Sequence, residues 1–164
     1  MFNGKRATRL VISPHHFQME SRAFEPAGDS ARWQKNSSGE SRIVRDENVD
    51  ALKIDASFNQ RDKWVYPRFT LNKEERSAFD KAVGLSFEIR TEQNRKEMSS
   101  PSLVWITMTD GKKYRLDYKP SLGDWGEVRI MFPEGQVQSF EIGMNPKKES
   151  ITYWIRNVRL LYER

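Results

Sequence analysis

Short segments in which apolar and polar residues alternate recur along most of the chain, and they constrain its fold more than any other feature. The clearest is A-L-K-I-D-A-S-F at 51–58, where Leu52, Ile54, Ala56 and Phe58 alternate with polar residues. A period of two is typical of a strand with one face in a core and the other in solvent. With turn-forming clusters about every ten residues, the pattern predicts roughly eight to ten strands. It therefore predicts an all-β chain, an antiparallel β-sandwich of jelly-roll type.

One short helix interrupts this pattern. Asn72 precedes an apolar stripe that includes Phe79. Glu75 lies three residues after Asn72, as in a capping box. Gly84 follows the stripe, which predicts that the helix ends there. No β-α-β alternation is present, so a parallel doubly wound sheet is not expected.

A hairpin is predicted around T-D-G at 109–111, and its register follows from burial. A two-residue turn would place Val104 opposite a polar residue, whereas a three-residue loop places it opposite Leu116. Because one face of the hairpin must be buried, the three-residue loop is favoured. That register pairs Trp105 with Arg115 on the outer face.

The last strand, within 152–162, changes parity along its length. Tyr153 and Ile155 share one parity, whereas Val158, Leu160 and Tyr162 have the other. A β-bulge near Asn157 would bring both to the core. It leaves Trp154 and Arg156 pointing outward.

The stretch 62–91 supplies the main functional clue. In D-K-W-V-Y-P-R-F, Val65 and Phe69 fall on one face, and Trp64, Tyr66 and Arg68 fall on the other. The first face is apolar, so the second is predicted to face outward. Aromatic side chains that a core does not need are typical of ligand sites.

Composition excludes several classes of site. The chain has no cysteines, which excludes disulfides, thiolate nucleophiles and Cys-type zinc sites. Its two histidines are the adjacent His15 and His16, and no catalytic triad or H-E-x-x-H motif surrounds them. No apolar run approaches the ~20 residues of a membrane span. Residues 1–16 are predicted to be a loose basic lead-in, and 17–164 a single domain.

The net charge of +5 favours anionic partners. The excess is spread over 28 basic and 23 acidic residues, with no basic block. The charge pattern is therefore also that of an ordinary mixed surface.

Several stretches, in this order, resemble jelly-roll carbohydrate-binding modules of the galactose-binding-like β-sandwich group. They are F-E-P at 24–26, A-L-K-I at 51–54, W-V-Y-P-R-F at 64–69, G-L-S-F-E-I-R at 84–90, G-D-W-G-E-V-R-I at 123–130 and Y-W-I-R-N-V-R-L-L-Y at 153–162. The resemblance implies a non-catalytic module in a larger secreted, periplasmic or cell-surface protein, usually attached to a polysaccharide-degrading enzyme.

The same resemblance implies a structural calcium ion in many members, held by carboxylates near the first strand and an aspartate in the last. Glu20 and Glu25 lie in the first region. In the last strand, Arg156 and Asn157 stand where acidic residues are expected. We therefore expect no cofactor, and the calcium ion is not carried over.

Outward aromatic and forked side chains suit a glycan, because a flat ring can cover the C–H face of a sugar while planar hydrogen-bonding groups meet its hydroxyl rim. Arginine would also bind carboxylates or sulfates of an acidic glycan. The predicted carbohydrate-binding residues are Trp64, Tyr66, Arg68, Glu88, Arg90, Trp105, Arg115 and Trp154.

Three other functions stay open on the sequence. The aromatic face of an accessory domain could pack on a linked catalytic domain. A polysaccharide lyase or glycosidase would need a carboxyl or histidine in a suitable setting, and the outward acids have the pattern of surface charges. Nucleic acid could stack on an aromatic and arginine face, but the resemblance argues against it. The sequence thus predicts a glycan-binding module rather than an enzyme.

Overall fold

The computed structural model describes residues 19–93, 95–98, 102–118 and 123–164. In this part of the chain, eleven strands form two antiparallel sheets, with a single α-helix. The strands are β1 (Met19–Ala23), β2 (Trp33–Gln34), β3 (Glu40–Asp46), β4 (Ala51–Ser57), β5 (Arg68–Thr70), β6 (Gly84–Thr91), β7 (Ser102–Met108), β8 (Lys113–Tyr118), β9 (Gly126–Met131), β10 (Val137–Gly143) and β11 (Ser150–Glu163).

The two sheets pack face to face as a β-sandwich. Sheet I has the order β3-β4-β11-β6-β9, and β1 pairs with the end of β11. Sheet II has the order β2-β5-β10-β7-β8. Their inner faces bury the alternating apolar residues, among them Phe87 and Tyr153 from sheet I and Phe69, Ile106 and Phe140 from sheet II. This architecture confirms the predicted jelly-roll β-sandwich.

The hairpin β7–β8 has the predicted register. Val104 pairs with Leu116 and Trp105 with Arg115. The Met108 amide donates to the Lys112 carbonyl at 2.8 Å, which closes a three-residue loop. Gly111 has φ +91°, the left-handed conformation that this loop requires.

The bulge in β11 lies where the parity change predicted it. The register against β6 shifts between Arg156 and Arg159, and Asn157 has φ +52°. Tyr153 and Val158 are both buried as a result, and Trp154 is half-buried on the outer face.

The helix α1 (Lys73–Lys81) begins with the predicted capping box, since Asn72 and Glu75 each accept a hydrogen bond from the other's backbone amide. The prediction for Gly84 was wrong. The helix ends at Lys81, with Ala82 as its C-cap. Gly84 instead opens β6, where a Cβ atom would lie 2.3 Å from the Ile130 carbonyl oxygen of the neighbouring strand. Glycine is therefore needed there for close strand packing.

The predicted strand through 62–71 is shorter than expected. Only Arg68–Thr70 forms a strand, and Val65 makes an isolated bridge to Met144. Pro67 has no amide hydrogen and cannot donate to the ladder. The alternation of inward and outward side chains nevertheless continues across the gap, with Val65 buried.

The predicted lead-in at 1–16, with His15 and His16, lies outside the described residues. Its boundary with the sandwich stays a prediction. In the parts of the chain that the structure describes, no helix combines the length and apolar character that a membrane crossing needs.

Candidate functional site

One row of outward side chains crosses all five strands of sheet II, and it is the centre of the candidate site. From β2 to β8 the paired positions are Gln34, Arg68, Glu141, Trp105 and Arg115. Four strand spacings of ~4.8 Å give the row a length of about 19 Å. Three of the five residues were predicted from the sequence as glycan-binding residues.

Glu141, which the sequence analysis did not select, lies at the middle of the row. Its side chain is only 2% exposed. Arg68 Nε donates to one carboxylate oxygen at 2.9 Å, and Lys113 Nζ lies 3.5 Å from the other. A buried carboxylate is costly unless it is paired and hydrogen-bonded. These contacts supply that pairing, and they hold both cations in place on the face.

Trp105 stands beside Glu141 on the neighbouring strand and is half-buried. Lys113 Nζ lies 4.8 Å from the centre of its ring, a cation–π contact that ties the ring to the same network. Arg115, across from Trp105, binds Asp117 at 3.1 Å. The two cations that flank Trp105 thus each have a carboxylate partner.

Trp64 and Tyr66 form an aromatic corner at the next row. Their rings stack, with centroids 5.8 Å apart and planes at 29°. Gly143 occupies the strand position beneath them, where a Cβ atom would lie 2.0 Å from Tyr66 Cδ1. The Tyr66 ring therefore lies across bare backbone, and Trp64 lies on top of it. Trp64 is half-buried and keeps part of its ring at the surface.

The prediction that Tyr66 is an outward contact residue needs correction. The side chain is on the outer face, yet it is only 7% exposed because it fits over Gly143 and under Trp64. Burial raises the pKa of Tyr66 to about 12, against the opposing effect of its side-chain hydrogen bond with Asn145. Tyr66 thus supports Trp64 and offers little ring area of its own.

The eight predicted residues do not form one site. Trp64, Tyr66, Arg68, Trp105 and Arg115 lie on the outer face of sheet II. The other three, Glu88, Arg90 and Trp154, lie on the outer face of sheet I, on β6 and β11. The core of the sandwich separates the two groups. Alternation showed correctly that all eight leave the core, but it did not show which sheet each belongs to.

The sheet I group has its own contacts. Trp154 Nε1 donates to Asp46 Oδ2 at 3.0 Å, and the Arg90 guanidinium lies 5.3 Å from the centre of the Trp154 ring. Glu88 accepts hydrogen bonds from Arg156 and Asn157, both at 2.7 Å. These residues are held by hydrogen bonds, an ion pair and a cation–π contact, and they are not buried in the core.

Trp125 lies against this group. The Arg156 guanidinium is 3.8 Å from the centre of its ring, and the side chain is half-buried. Trp33, by contrast, packs its ring edge-on against Phe69 and Phe140 in the core.

The residues near β1 and the bulge do not suit a calcium ion. The cavity between them, about 150 Å³, is lined by Glu25 and Asp50 but also by Arg45, Arg156 and Arg159. Calcium takes six to eight oxygen ligands, typically carboxylates and carbonyls. Within the described ranges, no cluster of three or more Asp, Glu, His or Cys side chains is placed to hold a metal ion.

The chain matches no protein-family model. It also matches none of the curated proteins. Its fold is, however, similar to those of solved carbohydrate-binding modules of family 29.

A mutant family 29 module in complex with cellulohexaose has a TM-score of 0.56 and 11% identity, and the match covers 88% of this chain and 91% of that one. A mutant in complex with mannohexaose has a TM-score of 0.53 and 10% identity, over 90% and 92%. A module from Piromyces equi has a TM-score of 0.51 and 12% identity, over 87% and 90%. The fold is thus a β-sandwich shared with carbohydrate-binding modules.

Proposed function

We propose that this protein is a non-catalytic carbohydrate-binding module that binds a polysaccharide segment along the outer face of sheet II. The observation that carries the proposal is the row across that sheet. It places the partly exposed Trp105 ring between Arg115 and the buried Glu141, with the Trp64–Tyr66 corner in the adjacent row. Solved modules of the same fold in complex with cellulohexaose and mannohexaose support it.

The chemistry of the row suits sugar rings. Trp105 and Trp64 each offer part of an indole ring for the apolar face of a sugar, and Gln34 and Arg68 offer donors for its hydroxyl groups. Glu141 holds Arg68 through a charge-assisted hydrogen bond at 2.9 Å. Rigid side chains of this kind reduce the ordering cost of binding.

Hydrolysis is less consistent with this face. Both oxygens of Glu141 contact cations, so neither is free to protonate a leaving group. Asp117, the carboxylate on β8 beside the row, is paired with Arg115 at 3.1 Å. Glycoside hydrolysis needs a carboxyl group that can donate a proton to the scissile bond. The arrangement favours binding without cleavage.

We also propose that the module belongs to a longer secreted or surface protein with a linked catalytic domain, as the resemblance implies. Binding of the isolated chain to glycans without release of product would agree with a binding module whose parent protein carries the catalytic activity in another domain.

The test compares Trp105→Ala with Trp154→Ala. Both replace a half-buried tryptophan on an outer face, but on opposite sheets. Titration calorimetry with cellulohexaose and mannohexaose measures affinity, and circular dichroism checks folding. We expect Trp105→Ala to weaken binding about tenfold or more, as for a central aromatic contact. Trp154→Ala should bind like the parent.

Three results would overturn the proposal. One is a folded parent chain that binds no oligosaccharide across a broad glycan array. Another is loss of binding in the sheet I variant alone. The third is release of reducing sugar by the parent chain, which would indicate an enzyme.

A further inference from the structure

The outer face of sheet I holds a groove that the proposed function does not use. It has a volume of about 830 Å³ and lies where β3, β4 and β11 run beside the segment 35–39. Outward side chains of the three strands form its floor. Its polar lining residues include Lys35, Arg42, Asp55, Ser57, Ser150 and Thr152.

The strand register leads from this groove to Trp154. Arg42, Asp55 and Thr152 form one row across β3, β4 and β11. The next outward row along the same strands contains Lys53 and Trp154, with Arg90 on β6. A ring therefore stands at the end of a groove lined by hydroxyl groups.

The Trp154 ring has a fixed orientation. Its Nε1 hydrogen bond to Asp46 anchors one edge at 3.0 Å. Two cations lie near the ring, Arg90 at 5.3 Å and Lys53 at 6.0 Å from its centre. A group that reaches this ring would meet these two cations near its face and the Asp46 carboxylate at one edge.

Three cations of the groove and of the adjacent Trp154 row lack the ion pairs that neutralise the cations of sheet II. Among the described residues, none of Lys35, Arg42 and Lys53 has a carboxylate within 4.0 Å, and Asp55 accepts a hydrogen bond from Thr152 instead. The groove also contains Glu40. Arg90, beside Trp154, pairs with Glu92 at 3.8 Å, and the Asp46 carboxylate also lies at that end. Lys35, Arg42 and Lys53 are thus the cations of this region that have no ion pair among the described residues. On sheet II, Arg68, Lys113 and Arg115 are all paired with carboxylates.

We propose that this groove is a second glycan site, specific for a chain whose sugars carry an anionic substituent. One sugar ring would lie on Trp154, its hydroxyl groups along Ser57 and Thr152, and its carboxylate or sulfate groups on Arg42 and Lys53. The two sites lie on opposite faces of the sandwich, so one molecule could join two glycan chains. This second site does not depend on the site on sheet II.

The experiment uses the full chain and three polyanions: polygalacturonate for carboxylates, dextran sulfate for sulfates, and single-stranded oligo-dT for nucleic acid. Affinity gels and calorimetry measure binding. We expect binding to at least one of the two glycans, well above that to oligo-dT. It should weaken as salt rises from about 0.05 to about 0.5 M, because exposed charges are screened over shorter distances.

The double variant Arg42→Gln/Lys53→Gln should lose about tenfold or more in affinity for the anionic glycan. Neither residue packs in the core, so the fold should not change. Arg129→Gln is the matched control, because Arg129 faces outward on the same sheet but pairs with Glu127 away from the groove. It should bind like the parent.

The outcomes separate the two sites. Loss of anionic-glycan binding in the double variant, with cellulohexaose binding retained, supports the second site even if the site on sheet II fails its own test. No binding to either anionic glycan would overturn the proposal. So would equal binding to oligo-dT, or equal losses in Arg129→Gln, since both indicate nonspecific charge attraction.

Discussion

Replacing Glu141 with glutamine removes the negative charge at the centre of the sheet II row while keeping the shape of the side chain. In the parent, the carboxylate accepts a hydrogen bond from Arg68 at 2.9 Å and contacts Lys113 at 3.5 Å. The carboxylate is 2% exposed, whereas the two cations are 40% and 42% exposed. The pair is therefore buried on one side only, and solvent screens the other.

The expected cost follows from these contacts. A hydrogen bond between charged groups contributes about 1.5–3 kcal/mol, and screening favours the lower end. The Lys113 contact adds about 0.5 kcal/mol. The glutamine oxygen can still accept from Arg68, which returns roughly 0.5–1 kcal/mol. We expect a net loss of about 1–1.5 kcal/mol, which lowers the melting temperature of a domain this size by about 2–6 °C.

Urea unfolding measures this loss, with Glu127→Gln as the control. Glu127 is a half-exposed carboxylate on sheet I that accepts from Arg129 at 2.7 Å, so its replacement should cost less than about 0.5 kcal/mol. Affinity for cellulohexaose should fall severalfold in Glu141→Gln, because a neutral acceptor holds Arg68 less firmly than the carboxylate does. If both variants lost equally little stability and both bound normally, Glu141 would not organise the row.

Three further changes test the surrounding structure. The pKa of Tyr66 is about 12 in the folded chain, against ~10 in the unfolded chain. Its contribution to stability is therefore complete below pH ~10 and is lost as pH rises towards 12, by up to about 2.7 kcal/mol. In Tyr66→Phe, the free energy of unfolding measured with urea should change less over this alkaline range than in the parent. Burial raises the pKa of Glu75, but hydrogen bonds from Arg32 and the Asn72 backbone outweigh it and lower this pKa. Arg32→Met should therefore lower the free energy of unfolding by about 3 kcal/mol at neutral pH. The difference in stability between this variant and the parent should become smaller below pH ~4, where Glu75 is protonated in the unfolded chain. Gly143→Ala should lower the free energy of unfolding by about 3 kcal/mol and abolish glycan binding, because its Cβ would lie 2.0 Å from the Tyr66 ring. Gly28→Ala is the control. Its Cβ would lie 3.7 Å from the nearest atom, so both stability and glycan binding should be unchanged.

Features set by neighbouring residues were predictable from the sequence. The capping box at Asn72, the loop at Gly111 and the bulge at Asn157 each depend on a few adjacent residues and on the need to bury one face. At the loop and the bulge, the apolar pattern allowed only one arrangement that put the large side chains in the core. The capping box followed from the spacing of Asn72 and Glu75. The structure confirms each of them.

Features set by distant residues were not. Glu141 has the outward parity of Ser139 and Gly143, so its place on the outer face could be read from the alternation. Its burial could not, because Arg68 and Lys113 come from strands far away in the sequence. The same holds for Tyr66, whose burial depends on the missing side chain of Gly143. The glycine inside an otherwise regular strand was the available signal for a close approach.

The division of the predicted residues between two faces follows from how the chain threads the sandwich. Alternation has a period of two residues and reports only whether a side chain leaves the core. Sheet membership depends on strand order, and from β4 to β7 successive strands alternate between the sheets. Trp105 on β7 therefore joins the face of Arg68 on β5, while Glu88 on β6 joins the face of Lys53 on β4. Because β9 and β11 lie in sheet I and β10 in sheet II, the same rule assigns Trp154 to sheet I. Strand order thus separates the two surfaces, and with them two sets of charges that differ in how fully they are neutralised.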